Sequence, residues 1–524
     1  MTAIAIDFGT SNTVVCLTDP TTQKPYTLVF DSLSRTFSRK DKSISVVPSL
    51  AFVQSPDRLI IGQQVRSQRL AHAQPNRFFR EFKRDLAADF QAPPRSIDGE
   101  LYTAEAIAEW FLQTLWTQVK IECQTLNLSP DHLIVTAPVG AFERYLSWFR
   151  QVGDRLGVST IQIIDESTAA ALGYAVRRPR SRVLVIDFGG GTLDLSLVQT
   201  QIPNAQQGSI RADVIAKSDA YVGGIDIDMW IVEDYLQRMG SSRTEIGELA
   251  WQTLLELAER LKVRLSSEST ATESWFDDER FMAYDLSLSR EQFSDLLENR
   301  QLLEQVRRSL DDVLAIAQTK GVSKGDIELV LMVGGSSLIP AVQQLVVSYF
   351  GRQKVKLHKP FEAVAHGALS ISDLDGIDDH LRHSYAIRLW EPYANTYSYF
   401  KLFDQGTAYP CQRSKSLVLQ VAQEGQTEIR LDIGELAEIA QAEVMYDENG
   451  RLVSSTLNRQ ERYRSLEAHQ DQVCVAHLNP PGQMGVDRVS VRFEVNAERM
   501  LIATVRDLLT DKVLVNHQAI AWLQ

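Results

Sequence analysis

Two short segments combine an acidic side chain, glycine and hydroxyls in the same order. They are Ile6-Asp7-Phe8-Gly9-Thr10-Ser11-Asn12-Thr13 and, about 180 residues later, Ile186-Asp187-Phe188-Gly189-Gly190-Gly191-Thr192-Leu193-Asp194. The chemistry such residues do together is to hold a polyphosphate and its metal. Glycine lets backbone N–H groups approach phosphate oxygens with no Cβ in the way, hydroxyls add donors, and a carboxylate holds a hydrated Mg²⁺ that offsets phosphate charge. Each segment lies between two apolar runs, so each reads as strand, tight turn, strand. One copy alone is equally an ordinary hairpin. Two copies in matched contexts point to a duplicated fold with room to build one lobe between them. Tips facing each other would grip a nucleotide between two related lobes.

Other elements must position these tips. A third glycine signal, Leu329-Val330-Leu331-Met332-Val333-Gly334-Gly335-Ser336-Ser337, is a buried type of strand running into a turn, with Pro340 suited to the first turn of a following helix. That turn could approach a ribose or a phosphate, although taken alone it reads first as a common α/β connection. Ser289 lies three residues before Gln292, a capping-box spacing. Phe293, Leu296, Leu297, Leu303, Val306, Leu310, Val313 and Leu314 then recur at helical intervals, predicting one long helix that serves as core.

The 524 residues imply more than one domain, and 44% hydrophobic residues without a long apolar run read as a soluble globular chain. Met1-Thr2-Ala3 leads straight into a strand with no export signal, so a cytoplasmic location is expected. The four cysteines, Cys16, Cys123, Cys411 and Cys474, have no Cys-x-x-Cys spacing, and His380 with His383 lacks a third ligand. Neither a zinc site nor a disulfide framework is indicated. Net charge −13 argues against a broad nucleic-acid surface, although not against a local basic patch.

The order of motifs resembles the nucleotide-binding domain of the 70-kilodalton heat-shock chaperone family, within the actin-like ATPase superfamily, over about residues 1 to 372. The matches are Asp7 to Asn12, Lys83-Arg84 after Pro75-Asn76, and Val135-Thr136-Ala137-Pro138. They continue with Glu166 to Ala171, Asp187 to Asp194, Val222-Gly223-Gly224-Ile225-Asp226, Glu259-Arg260-Leu261-Lys262 with Leu265-Ser266-Ser267, and Val333 to Ser337. The resemblance implies ATP or ADP with Mg²⁺ as cofactor. It also implies a catalytic set of Lys83, Glu166, Asp187 and Thr192, with Asp194 beside them. Lys83 would place an ammonium beside the γ-phosphate and the attacking water, Glu166 would orient the water or the metal shell, and Asp7 and Asp187 would hold Mg²⁺ through water. Gly9, Thr10, Ser11, Asn12 and Gly189, Gly190, Gly191, Thr192 would hold the phosphates. Asp194, Gly223, Gly224, Glu259, Lys262, Ser266, Gly334, Gly335 and Ser336 complete the implied nucleotide site. Read without the resemblance, Lys83 is an exposed helix lysine and Glu166 a helix N-terminal acid favoured by the dipole.

The chain departs from the family at the base. Where the family carries two arginines that sandwich adenine, this chain has Val263 and Leu338, and Phe361 replaces an aspartate near the adenosine. Each lost cation–π contact would weaken binding by about 0.5–2 kcal/mol, up to about thirtyfold. Weak affinity or a relaxed base preference is expected.

Residues 373 to 384 resemble the family's interdomain linker only loosely. Beyond them Ser416–Val421, Thr427–Ile433 and Arg488–Val495 alternate with period two, predicting an antiparallel sheet or sandwich over 385 to 524. Gly406 to Pro410 and the hairpin from Val489 to Asp507 look like pieces of the family's β substrate-binding domain, interrupted by an insertion-like segment from Gly434 to Val453. The family's helical lid is expected to be missing. Trp390, Tyr397, Tyr399 and Phe400 are candidates for sandwich core or for lining a groove. The expected function is an ATP-dependent chaperone: slow hydrolysis coupled to an extended polypeptide client or dedicated partner, with a co-chaperone and exchange factor, and no membrane span or nucleic acid. The alternatives are a nucleotide-binding interaction module with little turnover, and an actin-like filament or small-molecule kinase.

Overall fold

Each apolar run before a glycine turn forms a strand rich in β-branched residues, and successive side chains enter opposite cores. The computed structural model describes residues 2–39, 42–87, 92–138, 143–174, 180–200, 212–278, 280–357, 359–370, 381, 384–391, 396–404, 407, 409–446, 452–466, 473–496 and 500–523. They belong to two compact units, Met1–Asp375 and Gly376–Gln524. In the first unit, Thr2–Phe8 turns back into Asn12–Thr18, with Asp7 opposite Val14 and Phe8 opposite Thr13. Arg182–Phe188 turns back into Leu193–Thr200 in the same way, with Asp187 opposite Asp194 and Phe188 opposite Leu193. Each incoming strand has a parallel neighbour on its other side, Pro130–Ala137 for the first and Leu329–Val333 for the second.

These pairs seed two sheets. The first runs Thr160–Asp165, Pro130–Ala137, Thr2–Phe8, Asn12–Thr18, Lys42–Pro48, Arg35–Arg39, with Pro25–Thr27 also on Asn12–Thr18. The second runs Ala212–Ala220, Leu193–Thr200, Arg182–Phe188, Leu329–Val333, Val355–Lys356. Ile4, Ile6 and Phe8 pack with Phe111 and Phe149 of the helices Ala104–Thr125 and Glu143–Leu156. Leu184, Ile186 and Phe188 pack with Ile227, Leu254 and Val306 of Gly224–Arg238, Glu248–Leu265 and Leu302–Thr319. The opposite faces, through Ala5, Ile134, Val183, Val185 and Leu331, share a third core with the short helices Glu166–Gly173 and Ala363–Leu369. Those helices touch backbone to backbone. A Cβ on Gly173 would stand 1.9 Å from the Ala363 carbonyl oxygen, and one on Gly367 would stand 1.7 Å from that of Ala169.

The predicted long helix is two. Ser289 and Gln292 form the expected capping box, but Arg290–Asn299 ends where Gln301 takes a left-handed φ of 58° and Leu302–Thr319 begins. Leu297 and Leu302 are both fully buried but five positions apart, off the three-to-four spacing, and the left-handed residue returns Leu302 to the same core.

Among the described residues the second unit forms two five-stranded antiparallel sheets. One is Thr396–Phe403, Ser384–Glu391, Glu428–Tyr446, Leu452–Ser465, with Val473–His477 also on Glu428–Tyr446; the other is Cys411–Gln412, Asp487–Val495, Met500–Asp507, Val513–Trp522, with Leu417–Gln420 on Asp487–Val495. Their inward residues, among them Tyr385, Ile387, Ile433, Val491, Phe493 and Val505, share one core. Gly434 does not interrupt this unit: Glu428–Tyr446 runs straight through it and pairs with Leu452–Ser465, so the added sequence lengthens a hairpin. Arg488 and Asp507, both buried, pair at 2.9 Å, and Asp507 also accepts from the Leu509 and Thr510 amides. Tyr399 stacks on Tyr463, Tyr397 is exposed beneath the Arg388 guanidinium, and Phe400 packs against the core. Positions 371–380, 382–383, 405–406, 408, 447–451 and 497–499, which include most of the expected linker, His380 and His383, lie outside the described residues. Among the described residues Cys16, Cys123 and Cys411 are free thiols, and no helix is long and apolar enough to cross a membrane.

Candidate functional site

The two tips meet. A Cβ built on Gly190 would stand 1.9 Å from Ser11 Oγ, and one on Gly191 would stand 3.1 Å from Thr10 Cγ2. Each tip is braced from its own side. Ser49 Oγ donates to the Gly9 carbonyl at 2.7 Å and its amide donates to the Ser11 carbonyl at 2.9 Å. On the second tip the Gly189 amide closes the turn on the Thr192 carbonyl. The first amides of Gly224–Arg238 are spent on that tip too, Gly224 donating to the Gly189 carbonyl and Ile225 to that of Gly190. Ser336 Oγ also donates to the Gly189 carbonyl at 2.8 Å. Gly334, at φ 80°, packs against the base of the second tip, where a Cβ would lie 2.3 Å from the Phe188 carbonyl oxygen and 2.7 Å from Asp187 Oδ1. Gly335 follows in the turn, against Phe361.

Behind the tips sits a buried charge cluster. Lys83, on the short helix Phe82–Ala87, is buried, and its Nζ donates to Glu166 Oε1 at 2.9 Å, so it is not an exposed helix lysine. Glu166 is the first residue of Glu166–Gly173, whose N-cap Asp165 accepts from the Thr168 amide at 2.7 Å. Thr136 Oγ1 donates to Asp7 Oδ1 at 2.8 Å. Thr192 hydrogen-bonds Asp194.

Burial, then repulsion from Glu166, pushes the Asp7 carboxyl up to about 6. The same two causes, followed by Asp194 and Asp7, carry Asp187 well above the ordinary carboxylate range. Burial first, then Asp219 and Glu166, pushes Asp194 up to about 7 against the Thr192 hydrogen bond. Burial works against the Lys83 ammonium, but the Glu166 carboxylate, with Tyr145 and Asp7, holds it charged well above its usual value. Four carboxylates thus face one ammonium. Among the described residues no three His, Cys, Asp or Glu side chains are placed to ligate a metal directly. Hard carboxylate oxygens under mutual repulsion nevertheless fit a hydrated Mg²⁺.

These shifts have a pH consequence. A carboxyl that protonates more readily in the folded chain stabilises the fold fully below its unfolded value, near 3.8, and that stability is lost as pH rises through about 6 to 7. In metal-free protein, Asp194→Asn is therefore expected to flatten the fall of unfolding free energy between about pH 5 and pH 8. Denaturant titrations of both proteins across that range measure it; identical slopes would remove burial of Asp194 as a contributor.

Other expected residues have partners of their own. Lys262 Nζ donates to the Gly224 carbonyl at 2.6 Å and pairs with Asp228 at 2.8 Å. A Cβ on Gly224 would press on that Nζ and on Ser336 Oγ. Ser266 Oγ donates back to the Lys262 carbonyl at 3.2 Å, within its own helix end. Glu259 is clamped by Arg35 at 2.6 Å and Arg66 at 2.5 Å. Burial alone would raise its carboxyl, but Arg66 and then Arg35 hold it far below the usual range.

Sequence reasoning missed several members of this neighbourhood. Tyr145 is buried, its hydroxyl meets no hydrogen-bond partner among the described residues, and its field reaches Lys83. Thr136 stood inside a recognised motif without a role. Arg35, Phe37 and Arg66 gave no signal, because Glu259 and Phe361, which fix their places, lie more than 190 positions away.

The protein is a mixed α/β chain of several sheets with a buried lysine–glutamate pair among aspartates behind two glycine tips. The sequence model of the family described as "Hsp70 protein" matches residues 3–433, and the chain belongs to that family. At family level this means an ATP-dependent chaperone and ATPase. Similar curated proteins include "Chaperone protein DnaK" of Thermosipho melanesiensis, 24% identical over 97% of this chain and 78% of the relative. The proteins of that name from Thermotoga petrophila and Thermotoga maritima are each 23% identical over 97% of this chain and 79% of theirs.

Proposed function

We propose that the first unit is a duplicated, two-lobed actin-like domain that binds Mg-ATP and hydrolyses it slowly. The second unit would then be a β-sandwich that binds an extended or unfolded polypeptide. The observation that carries this reading is the buried Lys83–Glu166 pair, held at 2.9 Å behind the facing tips. Phosphoryl transfer needs little covalent help from a protein and much positioning and charge neutralisation. Lys83 supplies a fixed ammonium for charge developing on the transferred phosphoryl group, and Glu166, already oriented by that ammonium, orients the attacking water. Thr10, Ser11, Asn12 and Gly189 to Thr192 hold the phosphates, while Asp7 and Asp187 hold the metal's water shell. Mg²⁺, when bound, supplies the countercharge that lets the buried carboxylates and the phosphates share one cleft. Gly223, Gly224 and Ser336 keep the second tip in place, and Asp194 with Thr192 lies beside it. A two-state chaperone cycle further requires that the sandwich hold its client with different affinity when ATP or ADP is bound.

Single-turnover hydrolysis of labelled Mg-ATP, with nucleotide binding measured in parallel, tests the reading. Slow turnover that ceases in Glu166→Gln while binding persists is the expected result. Binding with no turnover in the wild type would favour the second reading, a nucleotide-binding interaction module, to which Val263, Leu338 and Phe361 already lend support. Loss of an extended apolar peptide's ATP-dependent release would sink the client cycle alone.

A further inference from the structure

The segment Arg35–Arg39 pairs with Lys42–Pro48 as a hairpin at the edge of the first sheet, with Arg35 opposite Val46 and Phe37 opposite Ile44. It is well anchored. Ile44 and Val46 are buried in the core between the sheets, and Thr36 and Ser45 hydroxyls meet at 3.0 Å. From this anchor Phe37 stacks on Phe361, ring planes 2° apart and centroids 5.5 Å apart. The Arg35 guanidinium lies over the Phe37 ring, 4.5 Å from its centroid. Arg35 also donates to Glu259 Oε1 at 2.6 Å, and Arg66 takes Oε2 at 2.5 Å, so neither oxygen of that carboxylate is without a cationic donor.

The two ends of this pile matter. Glu259 sits one turn before Val263 on Glu248–Leu265. Phe361 lies against Gly335, where a Cβ would stand 3.1 Å from its ring, in the turn that carries Leu338. Arg35 and Phe37 therefore link the two segments that hold Val263 and Leu338, the positions where the family resemblance implies guanidinium groups on either side of a base. An aromatic ring under a guanidinium is the same chemical pairing, made within the chain.

Resting on the nucleotide-site reading above, we propose that Phe37, stacked on Phe361 and capped by Arg35, stands in for the base, so that the site selects a Mg-bound triphosphate group without discriminating among bases. The ligand class is a triphosphate, either as a nucleoside ester or as the inorganic anion. Selectivity then resides in the glycine tips and buried charges, which contact phosphate and metal only. Taking Phe37 away would leave the Phe361 face open for a base to stack on.

Calorimetric titration of the full chain with Mg-ATP, Mg-GTP, Mg-CTP and Mg-tripolyphosphate is the test. In the wild type all four are expected to bind within about threefold of one another, and in Phe37→Ala the purine nucleotides gain about tenfold over tripolyphosphate. Phe37→Leu, which keeps apolar volume in place, stays like the wild type, and a melting curve on each variant reports folding. A wild type that binds ATP about a hundredfold tighter than CTP or tripolyphosphate overturns the proposal and leaves the nucleotide site standing. Equal behaviour of Phe37→Ala and wild type overturns it as well. Failure of all four ligands to bind the wild type overturns both. The wild-type series needs no variant, so a misfolded Phe37→Ala does not protect the idea.

Discussion

Lys83→Ala is expected to lower the single-turnover rate of Mg-ATP hydrolysis by about 10²- to 10³-fold while nucleotide affinity changes by less than about tenfold. The asymmetry follows from where the ammonium sits. It is buried and bonded to Glu166 Oε1, so in the proposed reaction it would act on charge that grows during transfer more than on the resting phosphates. The substitution has a second effect. It leaves the Glu166 carboxylate buried beside Asp7 and Asp187 without its counter-ion, and removing one partner of a buried pair costs about 3–5 kcal/mol. Melting curves must therefore accompany the kinetics, and Lys83→Ala combined with Glu166→Gln isolates the stability effect, because a neutral amide no longer needs the cation and the double variant should melt closer to the wild type than Lys83→Ala does. A folded Lys83→Ala protein that turns over at the wild-type rate would remove Lys83 from the chemistry.

Gly223→Ala is expected to reduce turnover by about a hundredfold, with weakened nucleotide binding, because it displaces the second tip as a body. The backbone at Gly223 is extended, φ −153°, so alanine meets no conformational objection there. The objection is contact: the new Cβ would stand 2.3 Å from the carbonyl carbon and oxygen of Gly190 and 2.4 Å from the Gly191 nitrogen. No rotamer relieves a clash with backbone. The tip must shift, and it carries with it the Gly189 and Gly190 carbonyls that accept from the helix below. Gly190→Ala provides a graded contrast, since its Cβ would meet a side chain instead of backbone, Ser11 Oγ at 1.9 Å and Ser11 Cβ at 2.8 Å, so that rotation of the hydroxyl relieves part of the clash and a smaller displacement of the tip is expected. Paired kinetics and binding for the two variants decide the matter; a Gly223→Ala protein with wild-type constants would mean that the tip tolerates displacement.

Local signals in the sequence reached a long way into this structure. The tips at Asp7 and Asp187, the strand before Gly334, the capping box at Ser289 and the alternation in 487–495 are all written within a few residues of where they act. What escaped notice depends on distance along the chain. Burial of Lys83 is set by Glu166, 83 positions on, and nothing beside Lys83 announces it. The helix break at Gln301 replaces one helix by two, and the left-handed residue there places Leu302 fully in the core. The Gly434 segment reads as an insertion against the family's pattern, and its place as part of a long strand is set by pairing with Leu452–Ser465. Phe37 sits in a stretch of arginine, serine and threonine, and its meaning depends on Phe361, at the far end of the unit.

The crossing of Glu166–Gly173 with Ala363–Leu369 bears on how this chain can diversify. At Gly173 and Gly367 the facing carbonyl oxygens occupy the space of any side chain, so each position already holds the smallest residue there is. A methyl group gained at one site has no counterpart that could shrink at the other, which rules out the paired exchanges by which most helix contacts drift. A chain only 24% identical to a relative over most of its length can have rewritten the edge hairpin and the β-rich unit far more freely than these two codons, which can change only by moving the two helices apart.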